Sequence, residues 1–488
     1  MRMLSQPSES ALTGNVRPAR ILVIVCAGVV MASLDLFIVN VALPQISRDL
    51  HEPSLGTLSW VLNGYAIIYA ALLVLAGRLA DQHNRKAGFL LGVAIFTVGS
   101  AACGAAVNVP MLITFRLVQA AGAALLTPTS LGLILASYPA ERRGGAVRAW
   151  TAVGGMAAAL GPSIGGLLVA IDWRWVFYVN VPIGLAALVI GWRQLPSVPG
   201  HSGPRPDELS ALLVTAGVGA LTLGLVRGDA WGWGSGATVG VLAAAVAALG
   251  LFALRCVRHH NPLIEPSLFR VRSFSGASVA TLLFSVSFGA MLLSIVLWMQ
   301  DAWGWSALRT GLGIAPGPLM VPLFSFLITG RLLARYGPSV VIGLGSSVFS
   351  LGLVWWALTV QLRPDYLIAL PGMVVTGIGV GLTLPSLLST AASALPPQSF
   401  ATGSGAVNML RQVGFAVGVA MLVAVLGSPH GASAELTAFR HGWYAAAIAG
   451  FAAALAAIWL RRPSVQPAAA ASGAGPASGR PAPDASAG

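Results

Sequence analysis

"ILVIVCAGVVMASLDLFIVNVALP" (Ile21 to Pro44) sets the terms for the whole chain. Its first fourteen residues carry no charge, and Asp35 is the one ionised group in the rest. A helix needs about 20 mainly apolar residues to cross a bilayer, and this run is long enough. A carboxylate at such depth is costly to insert and calls for a partner or a use.

The same character recurs along the chain. Of 488 residues, 56% are hydrophobic and 9% charged, and the mean hydropathy is +0.81. Soluble domains carry roughly 25% charged residues, so a water-facing surface cannot be built here. The apolar runs are unbroken instead of alternating, which points to helices and away from a barrel. The formal net charge of +13 comes from scattered basic residues that form no nucleic-acid-binding face. Cys26, Cys103 and Cys256 are an odd number without a CxxC, so neither a disulfide framework nor a metal site is indicated.

Fourteen spans are expected, at about 20–43, 57–77, 87–107, 110–136, 146–171, 175–194, 208–226, 236–256, 274–300, 309–334, 339–360, 366–392, 402–427 and 440–461. Turn and loop chemistry interrupts them, as in "QLPSVPGHSGPRPDE", "HHNPLIEP" and "LPPQS". With the N-terminus inside, 20 of the 28 Lys and Arg fall in cytoplasmic segments and 6 in outer ones. That is the positive-inside pattern of a multi-pass protein of the cytoplasmic (inner) membrane with both termini cytoplasmic. "DAWGW" occurs at 229–233 and again at 301–305, both in outer loops where tryptophan favours the bilayer interface. The polar N-terminal residues and the Ala/Pro/Gly/Ser tail are expected to be disordered, and no cleaved signal peptide is indicated.

The chain also repeats itself. "GRLADQHNRK" (Gly77 to Lys86) and "GRLLARYGPS" (Gly330 to Ser339) lie 253 residues apart, as do Gly161 and Gly414, and Gly165 and Gly418. The expected domains are a disordered start (1–19), a six-helix bundle (20–194), an insertion with two helices (195–273), a second six-helix bundle (274–462) and a disordered tail (463–488). Duplicated six-helix halves are a plan of secondary transporters.

Six motifs in order carry a family resemblance. They are "LDLFIVNVALP" on span 1, "GRLADQHNRK" after span 2, "RLVQAAGAA" (Arg116 to Ala124) on span 4, "GMAAALGPSIGG" (Gly155 to Gly166) on span 5, "WRWVFYVNVPIG" (Trp173 to Gly184) and "GSGAVNMLRQVGFAVG" (Gly403 to Gly418). Over about residues 20–461 the chain resembles the major facilitator superfamily, in its branch of fourteen-span drug:proton antiporters. The loop motif departs from the family pattern at Asn84, where a glycine is usual, and at Gln82, where an arginine is. Asparagine tolerates a left-handed backbone, so the turn is expected to survive.

Asp35 and Arg116 fall at similar depths, roughly 13 Å and 9 Å below the outer ends of spans 1 and 4. Each should face a cavity or the other. Burial raises a carboxyl pKa and a guanidinium lowers it, so the pair suits proton coupling; a static ion pair is the plainer alternative. The resemblance implies the coupling role. For Gly77, Asp81, Arg85 and Lys86 the resemblance implies a loop that locks one half against the other, while a plain topology signal explains the two cations equally well. Gly161, Pro162, Gly165 and Gly166 read as a pliable or closely packed stretch of span 5, because glycines let helices approach and proline removes a backbone hydrogen bond. Arg411 has no carboxylate partner in spans 9–14. It suits either an anionic or carbonyl-bearing substrate or hydrogen bonds to helix carbonyls, with Asn408 and Gln412 beside it. Asn40, Trp60, Asn63, Tyr65 and Gln119 are candidates for lining a substrate cavity.

Other chemistries fall away. "GPSIG" around Ser163 matches a nucleophile elbow only in letters, since it lies within a membrane helix and the histidines fall in loops or at span edges. A Walker A loop is excluded because the single lysine, Lys86, is followed by Ala87. No enzyme, cofactor or nucleic-acid partner is expected, and a single chain should suffice. The reading is a proton-gradient-driven exporter of amphipathic organic compounds working by alternating access. A metabolite facilitator or importer on the same fold, and a non-transporting scaffold or sensor, are the alternatives.

Overall fold

The computed structural model describes residues 18–199, 207–394, 400–429 and 431–460. Every expected span is helical: α1 (Pro18–Asp49), α2 (Leu55–Gln82), α3 (Arg85–Gly104), α4 (Val109–Ser137), α5 (Ala140–Val169), α6 (Trp175–Gln194), α7 (Glu208–Trp231), α8 (Gly236–Arg258), α9 (Arg272–Ala302), α10 (Ala307–Tyr336), α11 (Pro338–Thr359), α12 (Tyr366–Ser393), α13 (Phe400–Leu426) and α14 (Ala432–Trp459). Among the described residues thirteen helices are long and apolar enough to cross a membrane, and α5 makes a fourteenth as a bent pair. It turns by 44° between Gly145–Ala158 and Leu160–Val169. Pro162 removes the hydrogen bond that would have bridged this break to the carbonyl of residue 158.

Helix starts are set by side-chain caps. Ser54, Asn108, Asp207, Ser235 and Ser306 each accept a hydrogen bond from a backbone N–H in the first turn. Asn84 does the same for α3, accepting from the N–H groups of Lys86 and Ala87. Its φ is −65°, so the turn there is a helix cap and not the left-handed bend expected from a glycine-like position. Helix ends overrun the apolar runs. α1 continues past 43 to Asp49 and stops only where His51 turns left-handed (φ 54°). α9 reaches Ala302 in a π turn, and α14 starts at Ala432. Hydropathy marks the membrane part of a helix, whereas capping and turns mark its ends.

The two halves are built alike. In the first, α1 packs on α5, α2 on α4, and α3 on both α4 and α6; in the second, α9 packs on α13, α10 on α12, and α11 on both α12 and α14. The repeated glycines serve one purpose in both halves. A Cβ at Gly165 would stand 2.9 Å from the Ile38 carbonyl of α1, and Gly418 is pressed in the same way against the Val286 carbonyl of α9. α7 and α8 pack on each other, and α7 also touches α2 and α13. The fold is therefore two six-helix pseudo-repeats with an added helix pair.

Among the described residues the halves meet through α2 with α13 and α5 with α10, and through smaller contacts of α1 with α9 and α10. On the arginine-poor side, taken as outer by the charge rule, Ser163 donates to the Gly311 carbonyl at 3.1 Å, and Gln300 donates to the Val41 carbonyl at 3.0 Å. A Cβ on Gly166 would lie 3.0 Å from the Gly311 Cα, so α5 and α10 meet almost backbone to backbone. Toward the other side the pair parts: Gly155 has nothing near it, and Met156, Leu319, Leu323 and Phe326 are exposed.

Candidate functional site

The Asp35 carboxylate lies in the interior of the first half and is satisfied from two directions. Arg116 Nη1 donates to its Oδ2, and Gln119 Nε2 donates to its Oδ1 at 2.8 Å. Gln119 also donates to Ser100 Oγ at 2.7 Å and accepts from Arg116 Nη1 at 2.6 Å. Arg116 Nε reaches the Val61 carbonyl at 3.1 Å. The guanidinium carbon lies over the Tyr65 ring, 4.1 Å from its centroid, with the Phe177 ring at 5.8 Å. Asp35, Arg116, Gln119 and Ser100 are all wholly buried. Among the described residues no other ion pair has both side chains sealed.

Elementary geometry brings these groups together. Arg116 and Gln119 are three residues apart on α4 and so share a face. α3 supplies Ser100, α2 supplies Val61 and Tyr65, and α1 supplies Asp35. The cluster is thus confined to one half. Two of its polar atoms have no hydrogen-bond partner, Arg116 Nη2 and the Tyr65 hydroxyl.

The pair formed as expected. Because α1 continues past the apolar run to Asp49, Asp35 stands about 21 Å from the end of that helix. Gln119 and Tyr65, expected to line a cavity, belong to the sealed network. Asn40 and Asn63 are also wholly buried. Asn40 donates to the Leu36 and Phe37 carbonyls of its own helix, and Asn63 donates to Ser59 Oγ. Trp60 is half-buried against the core. Ser100 gave no signal in the sequence, since a serine in an apolar span is unremarkable; Phe177 lies within the "WRWVFYVNVPIG" motif, and the four-residue spacing of Tyr65 and Tyr69 was readable.

In the second half, Gln412 is buried with its amide nitrogen unpartnered, while Asn408 and Arg411 are half-buried. Arg411 lies within electrostatic range of the Tyr69 phenol on α2, and Tyr69 stacks near Tyr65 with ring centroids 5.9 Å apart. Asp301 and Glu435 fall within α9 and α14 after all, but at their outer ends.

The loop after α2 acts as a tie. Arg78 donates to the Pro262 carbonyl at 2.6 Å, reaching the segment between α8 and α9. Arg85 donates to the Gly132 carbonyl at 3.5 Å, and Lys86 donates to the Trp192 carbonyl at 2.7 Å in the last turn of α6, where a cation is favoured. Gly77 faces Pro128 on α4. The locking role expected of Asp81 falls on a side chain outside the described residues, as do the two tails. The span 5 glycines divide their contacts, Gly161 and Gly165 against α1, Gly166 against α10, and the Pro162 carbonyl against Gly311.

Comparison with known proteins agrees with this architecture. The family model of the Major Facilitator Superfamily matches residues 25–419 and 277–483. The chain is 34% identical over 416 residues to the tetracenomycin C resistance and export protein of Streptomyces glaucescens, covering 84% of this chain and 76% of that protein. It is 35% identical over 466 residues to the cephamycin export protein CmcT of Amycolatopsis lactamdurans, covering 94% and 95%. The multidrug resistance protein Stp of Mycobacterium tuberculosis (strain H37Rv) is 35% identical, with 82% and 74% covered. Among solved structures, a bacterial homologue of the lysosomal transporter Spinster superposes with a TM-score of 0.66 at 17% identity, covering 92% of this chain and 98% of that one. The chain belongs to the major facilitator superfamily, a family of multi-pass membrane transporters, and groups with its antibiotic and multidrug exporters.

Proposed function

We propose that this chain exports small amphipathic organic compounds from the cytoplasm across the cell membrane in exchange for protons. The Asp35–Arg116 pair, sealed inside one half, is the observation that carries the proton-coupled part of this reading. Export follows from the export functions of the relatives, and a cytoplasmic position for both termini follows from the distribution of arginines.

The exchange is written in these residues. With Asp35 ionised, its two oxygens hold Arg116 and Gln119 and tie α1 to α4. A proton taken up by Asp35 cancels its charge, and Arg116 is left to the Val61 carbonyl, Gln119 and the Tyr65 face. The tie between α1 and α4 weakens and the halves re-pack by rocking about α5/α10 and α2/α13. Release of the proton on the other side restores the tie. The Gly166–Gly311 contact closes one end of that cycle.

The test is transport into everted vesicles under an imposed pH gradient, using cationic, neutral and anionic amphipathic compounds. Native protein accumulates at least one class. Asp35→Asn inserts and folds but shows no gradient-driven accumulation. Undiminished gradient-driven transport by that variant sinks the proton-coupling claim.

A further inference from the structure

Arg411 is the interior charge that the Asp35 network leaves out. It lies eleven residues into α13, about 17 Å from the start of that helix, where α13 packs on α2. The sequence left open whether its guanidinium bonds helix carbonyls or meets a ligand. Among the described residues it makes no hydrogen bond and no ion pair. The acids described in the second half, Asp301, Asp365 and Glu435, all lie at the outer ends of helices. A half-buried arginine at mid-membrane is costly to insert, and here no group of the described chain offsets that cost.

An aromatic cluster begins one turn away on the same helix. Phe415, one turn further along α13, meets Phe37 of α1 with ring centroids 6.1 Å apart, and Phe37 meets Phe288 of α9 at 5.9 Å. These rings come from both halves, so this bed lies where the halves join. On the facing α2, Tyr69 bonds Thr127 through its hydroxyl at 3.1 Å and leans on Tyr65, which covers Arg116.

We infer that Arg411 is the subsite for the anionic group, a carboxylate, sulfonate or phenolate, of an amphipathic aromatic compound whose ring lies against Phe37, Phe288 and Phe415. The guanidinium fork suits a planar oxyanion, and aromatic rings suit an aromatic body. This deepens the export reading and rests on it. Tyr69 and Tyr65 then form the physical link between the ligand's charge at Arg411 and the proton site at Asp35.

Two fluorescent probes that differ by one anionic group supply the test: 8-anilinonaphthalene-1-sulfonate and its uncharged parent, N-phenyl-1-naphthylamine. Saturable binding is measured on the full chain in lipid nanodiscs with no gradient. Arg411→Gln is expected to weaken sulfonate binding by about 10- to 100-fold, the loss typical of one charge-assisted contact, and to leave the parent's affinity unchanged. Arg411→Lys keeps the cation and loses the fork, so its sulfonate affinity falls between native and Arg411→Gln. Absence of saturable sulfonate binding by the native protein overturns the inference. So does equal binding of both probes by native and Arg411→Gln, or loss of both probes to the same extent in Arg411→Gln and Arg411→Lys. None of these results bears on gradient-driven transport by Asp35→Asn, so the two claims fail separately.

Discussion

Arg116 holds Asp35 through one nitrogen and lies 4.1 Å above the ring of Tyr65, with no solvent on either side. Deleting one partner of such a pair leaves the other charge buried alone, at a cost of about 3–5 kcal/mol. Arg116→Ala is therefore expected to melt well below the native protein in detergent. The double variant Asp35→Leu/Arg116→Leu removes both charges and should recover most of that loss while remaining inactive in transport. Thermal melting by tryptophan fluorescence checks the order. A double variant no more stable than Arg116→Ala would show that the pair is not the source of the cost.

Gly166 and Gly311 make the closest joint between the halves. A Cβ on Gly166 would stand 2.6 Å from the Ala307 carbonyl and 3.0 Å from the Gly311 Cα, both backbone atoms that cannot turn aside. Gly166→Val is expected to hold the outer ends of α5 and α10 apart and to abolish transport, while the bundle still assembles. A cysteine placed at Leu312, which is exposed near this joint, should then react faster with an impermeant maleimide added from outside. Unchanged labelling together with native transport rates would refute the closure role.

How far the sequence could be read depended on the kind of signal. Fourteen spans were legible because the bilayer imposes length and apolarity on every crossing segment. The pairing of Asp35 with Arg116 was legible because an interior charge needs a partner at its own depth. The end of α1 was not legible because it is set by the backbone turn at His51, seven residues beyond the apolar run's own proline, Pro44. The remaining members of the network were hidden. Ser100 joins it only through Gln119, and Tyr65 through the face of its ring, so both depend on helix rotation that span-level hydropathy does not fix. Asn84 was read through the glycine it replaces, and the cap it forms follows instead from its own carbonyl oxygen.

Asp207 ties the added helix pair together outside the membrane. It caps α7, and Arg255 of α8 donates to both its oxygens at 2.9 Å, with His259 Nδ1 3.8 Å away. Burial by itself would raise the Asp207 pKa, but hydrogen bonds from Ser210 and Arg255 outweigh it and hold the carboxyl below its usual range. A depressed native pKa stabilises the fold above the unfolded value of about 3.9 and loses that contribution as pH falls through the native value. Amide protection factors in α7 and α8, corrected for the intrinsic pH dependence of exchange, should therefore be flat between about pH 5 and 8 and fall below about pH 4. Asp207→Asn should exchange faster than native at neutral pH and lack the acid step. A variant that keeps the acid step would place its origin elsewhere.

On the proposed exchange, with Asp35 carrying one proton per cycle, an anionic substrate makes transport electrogenic. One proton moving in and one monovalent anion moving out shift two positive charges inward. Each charge gains about 2.3 kcal/mol per 100 mV, so an inside-negative potential of that size supplies about 4.6 kcal/mol per cycle. In right-side-out proteoliposomes loaded with 8-anilinonaphthalene-1-sulfonate, a potassium diffusion potential imposed at equal pH should therefore accelerate export. The uncharged N-phenyl-1-naphthylamine moves only one charge per cycle and should respond about half as strongly in driving force. Arg411→Gln should lose the sulfonate's response and keep that of the parent compound. Sulfonate export that is indifferent to potential would rule out a one-proton exchange for an anion.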